Sequence, residues 1–138
     1  PAPALEAETP SGEAISIRPG DDGPMVLVFL AHWCPHCQAE LPNLVRLDQQ
    51  GELDDLRPVL VATGTDEAAP NYPPGPWIDG EGWDGEVMVD DGRYSAGGAY
   101  GLSGYPYLVL VDADGNVIAR ASGELGLEGL QAFIQQAG

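Results

Sequence analysis

Lysine is absent from this chain, and five arginines are its whole cationic complement against 22 acidic residues, a formal charge of −17. Such a field repels phosphate backbones and anionic membrane surfaces, so nucleic acid is excluded as a natural partner. The plain reading of the excess acid is solubility. Cysteine is nearly absent too: Cys34 and Cys37 are the only two. No framework of structural disulfides exists to staple the fold or to report an oxidising compartment. No apolar stretch approaches the ~20 residues needed to cross a bilayer, and there is no basic, apolar leader. A chain starting at Pro1 is expected to be a processed or trimmed form, which permits a removed signal peptide or anchor. The sequence itself gives no membrane contact.

What is present suits one domain of 138 residues with its own core, and 19 Gly with 13 Pro imply short elements and many turns. Residues 1–12, Pro/Ala-rich and polar, are expected to be a flexible tether, leaving residues 13–138 as the domain. Residues 14–18 alternate like a short edge strand. Residues 25–30 (Met-Val-Leu-Val-Phe-Leu) read as a strand covered on both faces. From Pro35 the period changes, with Leu41, Leu44, Val45 and Leu47 on a helical stripe that Gly51 ends; Pro42 removes a backbone donor within it and is expected to kink the axis. Residues 57–63 form a second buried strand, completing a β-α-β unit with parallel strands. Residues 64–86 are irregular, with room for a short helix from Pro74 and with Trp77 and Trp83 expected over the core. A strand at 86–90, a weak helix near 94–100, a hairpin 107–122 turning at Ala113-Asp114-Gly115 and a closing helix 125–136 follow. The expected fold is α/β: a central mixed sheet flanked by helices.

Chemistry concentrates in His32-Trp33-Cys34-Pro35-His36-Cys37. Residues three apart at a helix start are close enough for a disulfide. Cys34, at the helix N-terminus, has unpaired N–H groups and the positive dipole end to favour its thiolate, which makes it the nucleophile. Cys37, a turn deeper, is the resolving thiol. Pro35 fits the first helical turn. His36 can offer a ring N–H or a positive charge to the Cys34 sulfur, stabilising the reduced form and making the disulfide more oxidising; otherwise it is a solvent-exposed turn histidine. His32 is read as a bystander. Glu40 shares a helix face with Cys37 and could exchange protons with it, or be a solvated helix charge.

Competing readings are weaker. Haem attachment needs His directly after the second cysteine, where Gln38 stands. Zinc would need four ligands from six adjacent residues, so no metal and no cofactor are expected. A structural disulfide closing so short a loop would stabilise little. A peroxidase lacks a third cysteine and a Thr-x-x-Cys arrangement.

Trp33-Cys-Pro-His-Cys37 with Glu40 and Pro42 resembles the thioredoxin superfamily, and Trp-Cys-x-x-Cys-x-x-Glu-x-Pro is similar to its TlpA/ResA/DsbE branch of extracytoplasmic redoxins. The match runs from about Ala14 to the C-terminus and includes Gly104-Tyr105-Pro106. The resemblance implies a thioredoxin fold, a cis Pro106 beside the disulfide, Trp33, Tyr105 and Pro106 as the substrate-binding surface with Tyr105 helping to present backbone, and Glu40 as an acid–base residue. It implies work outside the cytoplasm on protein thiols and disulfides, with a redox partner protein; the chain is expected to act as a monomer. Two departures matter. Val28 stands where cytoplasmic thioredoxins carry a buried aspartate, and Cys-Pro-His-Cys resembles the oxidant DsbA, whereas many branch members are reductants for cytochrome c maturation. The expectation is a thiol–disulfide oxidoreductase of oxidising poise, with a reductant as the alternative and a redox-inert binding module of the same fold as the reading from another class.

Overall fold

A computed structural model describes residues 1–137. The elements in order are strands β1 (Leu5–Glu8), β2 (Ala14–Ile17) and β3 (Met25–Leu30), helix α1 (Pro35–Gln49), strand β4 (Arg57–Ala62), helix α2 (Pro74–Gly80), strand β5 (Glu86–Val89), helix α3 (Ser95–Ala99), strands β6 (Tyr107–Val111) and β7 (Val117–Ser122), and helix α4 (Gly126–Gln135). They build one seven-stranded mixed sheet in the order β2-β1-β5-β4-β3-β6-β7.

β3 sits at the middle of the functional half, parallel to β4 and antiparallel to β6. All six of its residues are buried because both sheet faces are covered. Val26, Val28 and Leu30 point to the face packed by α1 and α4. Met25, Leu27 and Phe29 point to the other face, against Tyr100, Tyr107 and Val109. α1 runs continuously through Pro42 and buries Leu41, Leu44, Val45 and Leu47 on its inner side. Trp83 is buried; Trp77 is half-buried against the same core.

The tether expected at residues 1–12 is replaced by structure. Leu5–Glu8 is β1, hydrogen-bonded to β2 from Leu5↔Ile17 to Glu8↔Ala14 and to β5 at Glu8↔Val89. Leu5 enters the core, the Ala2 N–H donates to the Gly115 carbonyl at 2.7 Å, and the Tyr100 hydroxyl donates to the Pro3 carbonyl. The turn is closed by the Thr9 hydroxyl, which accepts from the Glu13 N–H at 3.2 Å. The flanking prolines lie at or beyond the strand ends, where a missing N–H costs no ladder bond. A boundary at residue 12 therefore divides nothing; β1 belongs to the same sheet.

Register decides where the site lies. Leu30 pairs with Ala62 in parallel, Phe29 with Tyr107 antiparallel, and Tyr107 with Ser122. The chain after β3, the chain after β4, the chain before β6 and the chain after β7 therefore all emerge at one end of the sheet. Asp90, buried at the end of β5, steadies the adjoining edge: it accepts from the Thr63 hydroxyl and from the Ala96 and Gly97 N–H groups that begin α3.

Candidate active site

Cys34 is the N-cap of α1, in extended conformation (φ −81°, ψ 121°), and its carbonyl accepts the first helical bond, from Gln38 N–H at 2.9 Å. Pro35 then starts the helix, where its missing N–H is no loss. This places the Cys34 side chain at the end where unpaired N–H groups and the helix dipole favour an anion. Cys34 is 7% exposed and Cys37 is fully buried; both are free thiols. The Ala31 N–H donates to Cys37 Sγ at 3.4 Å. Burial pushes the Cys37 thiol far up, partly opposed by that bond and reinforced by the nearby Cys34 and Glu40 charges. The two sulfurs thus differ physically: one at a helix N-terminus with a small exposed fraction, one sealed a turn beneath it.

Glu40 is fully buried, one turn beyond Cys37. It is no solvated helix charge. Its carboxylate accepts from the Leu125 and Gly126 N–H groups at the start of α4 and from Asn43 Nδ2. It binds α1 to α4 while its charge acts on Cys37.

His36 does not meet the expectation of a bond to the Cys34 sulfur. Among the described residues neither sulfur is hydrogen-bonded to its imidazole; Nδ1 lies 3.1 Å from Glu124 Oε1, with the histidine side chain 68% exposed. The reason is topological: the turn after β7 brings Glu124 alongside the first turn of α1, 88 residues away in sequence. Sequence spacing held no signal for that partner.

His32, read as a bystander to the thiols, has a structural role. It is buried at 1% exposure and joins the segment after β4 to the thiol loop. Its Nε2 accepts from the Asp66 N–H at 3.0 Å, which leaves the proton on Nδ1, 2.6 Å from the Pro70 carbonyl. That tautomer follows from the hydrogen-bond partners. The His32 carbonyl accepts from Gln38 Nε2 and Asn71 Nδ2, and Tyr72 packs edge-on against the ring.

Trp33, 36% exposed, donates its Nε1–H to the Gly64 carbonyl at 2.7 Å and meets Tyr105 edge-to-face at 5.6 Å between ring centroids. Gly64 has φ +65°, and an added Cβ there would lie 2.9 Å from the Tyr105 hydroxyl, so both backbone and space demand glycine. The Tyr105–Pro106 bond is cis; Pro106 is buried and its carbonyl accepts from the Gly123 N–H at 2.8 Å. Burial raises the Tyr105 phenol above its ordinary range. Trp33, Cys34, Gly64, Tyr105 and Pro106 are thus brought to one end of the sheet, with Pro35 and His36 exposed beside them.

A family model described as Redoxin matches residues 1–131. The thiol-disulfide oxidoreductase ResA of Bacillus thuringiensis is 26% identical over 136 residues, 98% of this chain and 75% of the relative. Among solved structures, a thiol:disulfide interchange protein from Chlorobium tepidum is similar with a TM-score of 0.79 and 21% identity, covering 99% of this chain and 94% of that one. A secreted disulfide oxidoreductase of Mycobacterium tuberculosis, homologous to Escherichia coli DsbE, has a TM-score of 0.76 and 22% identity over 96% of this chain and 95% of its own. These likenesses show the fold, a thioredoxin fold.

Proposed function

This chain belongs to the Redoxin family, and from that premise and the geometry of its thiols we infer a thiol–disulfide oxidoreductase that exchanges disulfides with protein substrates through Cys34 and Cys37. One observation carries the reading: two thiols one turn apart, the outer at a helix N-terminus and the inner fully buried. A binding module has no use for that asymmetry.

In the reducing direction the Cys34 thiolate attacks a substrate disulfide. A Cys34–substrate mixed disulfide forms, and the departing substrate sulfur takes a proton. Cys37 then loses its proton and attacks the Cys34 sulfur. The second substrate thiol leaves, and two electrons have passed from the protein to the substrate as the Cys34–Cys37 disulfide closes. The oxidising direction is the same sequence reversed. Because burial raises the Cys37 thiol, its deprotonation is tied to the attack itself, and Glu40 is the carboxylate whose charge Cys37 feels. Trp33, Tyr105 and Pro106 form the surface on which substrate backbone lies. Work outside the cytoplasm completes the reading, supported by the secreted relative.

The direction of electron flow turns on His36. A histidine between the thiols supports an oxidising poise; a reductant is the second reading, favoured by the engagement of its Nδ1 with Glu124. The exchange chemistry is tested by mixing reduced variants with a disulfide-bonded model peptide. Cys37→Ser should accumulate a peptide adduct that dithiothreitol removes, and Cys34→Ser should form none. An unreactive Cys34 in the first variant would return the chain to the binding-module class.

A further inference from the structure

Glu124 stands on the turn between β7 and α4, and nothing in the exchange chemistry above requires it. Its neighbours are fixed on both sides by the thiol site. Gly123 donates its N–H to the Pro106 carbonyl at 2.8 Å, and the Leu125 and Gly126 N–H groups are taken by the buried Glu40 carboxylate. The turn therefore holds Glu124 where the side chain between the two cysteines projects, and its carboxylate meets His36 Nδ1 at 3.1 Å.

We propose that Glu124 is a positioning residue that sets the redox poise of the Cys34–Cys37 pair, by holding the His36 imidazole to itself and setting a negative charge against it. The proposal rests on the thiol-exchange reading and concerns its equilibrium. The couple against glutathione is protein disulfide plus two glutathione thiols giving protein dithiol plus glutathione disulfide. Two electrons and two protons move to the protein. Whatever stabilises the Cys34 thiolate stabilises the reduced form and makes the disulfide a stronger oxidant. A histidine N–H or an imidazolium aimed at the sulfur does that. An Nδ1–H that donates to Glu124 is not available to the sulfur, and the carboxylate offsets the imidazolium's field there. Both effects act in one direction: they disfavour the thiolate and hold this pair less oxidising than its histidine alone would make it. The half-exposed setting keeps the effect modest and sensitive to salt.

The experiment equilibrates wild type, Glu124→Gln, His36→Ala and the double variant with glutathione redox buffers at pH 7 and low ionic strength. Glu124→Gln is expected to shift the constant about threefold to tenfold toward the reduced protein, at most about 30 mV less negative. In the His36→Ala background the same substitution should shift it less than half as far, because the histidine through which it acts is gone. A shift toward the oxidised protein, no shift, or an equal shift without His36 would each overturn the proposal. A wild type that does not exchange with glutathione at all would instead overturn the oxidoreductase reading.

Discussion

At the scale of single residues, the burial of Cys37 has a consequence beyond catalysis. An unfolded thiol titrates near about 8.5, and in the folded protein burial pushes this one far higher. Above pH ~8.5 the unfolded chain has lost a proton that the native state retains, so the native state binds more protons and stability falls as pH rises. The contribution is whole below that pH. Above it the reduced protein should lose up to about 1.4 kcal/mol per pH unit. Tyr100, also raised by burial from 10.0 to about 12, adds the same sign only above pH ~10. Urea unfolding of reduced wild type and Cys37→Ala at pH 7.5, 8.5 and 9.5 checks this: the wild type should weaken more steeply, and parallel trends would refute it. This residue was legible in the sequence because its chemistry depends on a partner three positions away. The same holds for Glu40 as a group facing Cys37. What was not legible came from far along the chain: Glu124 reaches His36 across 88 residues, and Asp66 and Pro70 reach His32 across 34 and 38. Such contacts depend on strand register, which composition and spacing do not encode.

Among elements, one buried side chain ties the start of α4 to α1, beside the apolar packing the two helices share. The first N–H groups of a helix have no internal partner, and those of α4 find theirs in Glu40. Glu40→Ala leaves Leu125 and Gly126 N–H unpaired under cover and removes charge-assisted bonds, an expected cost of about 3 kcal/mol. Glu40→Gln keeps one acceptor oxygen and should cost about 1–2 kcal/mol. Urea midpoints of the oxidised proteins measure both; an alanine variant within about 0.5 kcal/mol of wild type would show that the clamp contributes nothing. The helices and the long apolar strands were readable because periods of 3.6 and continuous apolar runs are local signals. α2 was readable from Pro74 at its start. β1 was hidden: four residues, Leu-Glu-Ala-Glu, with one buried leucine, between prolines and acids. Its strand character comes from the open edges of β2 and β5 that it fills, and the sequence at 5–8 names neither.

For the whole molecule, the acid excess first read as a solubility device also sets how stability answers to salt. With −17 formal charges and no lysine, folding gathers acids into a small volume against their mutual repulsion. The opposing attractions are few. Arg57 bridges Glu86 at 2.6 Å and Asp22 at 3.0 Å, and His36 meets Glu124. The pairs to Asp22 and His36 are exposed and worth about 0–1 kcal/mol, and the partly buried, bidentate Arg57–Glu86 pair is screened little, so salt removes little of these attractions. It removes more of the repulsion, because the screening length falls from about 30 Å at 0.01 M to about 10 Å at 0.1 M. The balance predicts that the urea midpoint rises with sodium chloride, by the equivalent of about 1–2 kcal/mol. Urea is uncharged and leaves ionic strength to the added salt. Screening also fixes the shape of the curve: most of the gain should come below about 0.3 M, where the screening length is shrinking fastest. A midpoint that climbs linearly to 1 M would point to salt exclusion from apolar surface instead. A midpoint that falls would mean that the few ion pairs outweigh the repulsion among 22 acids.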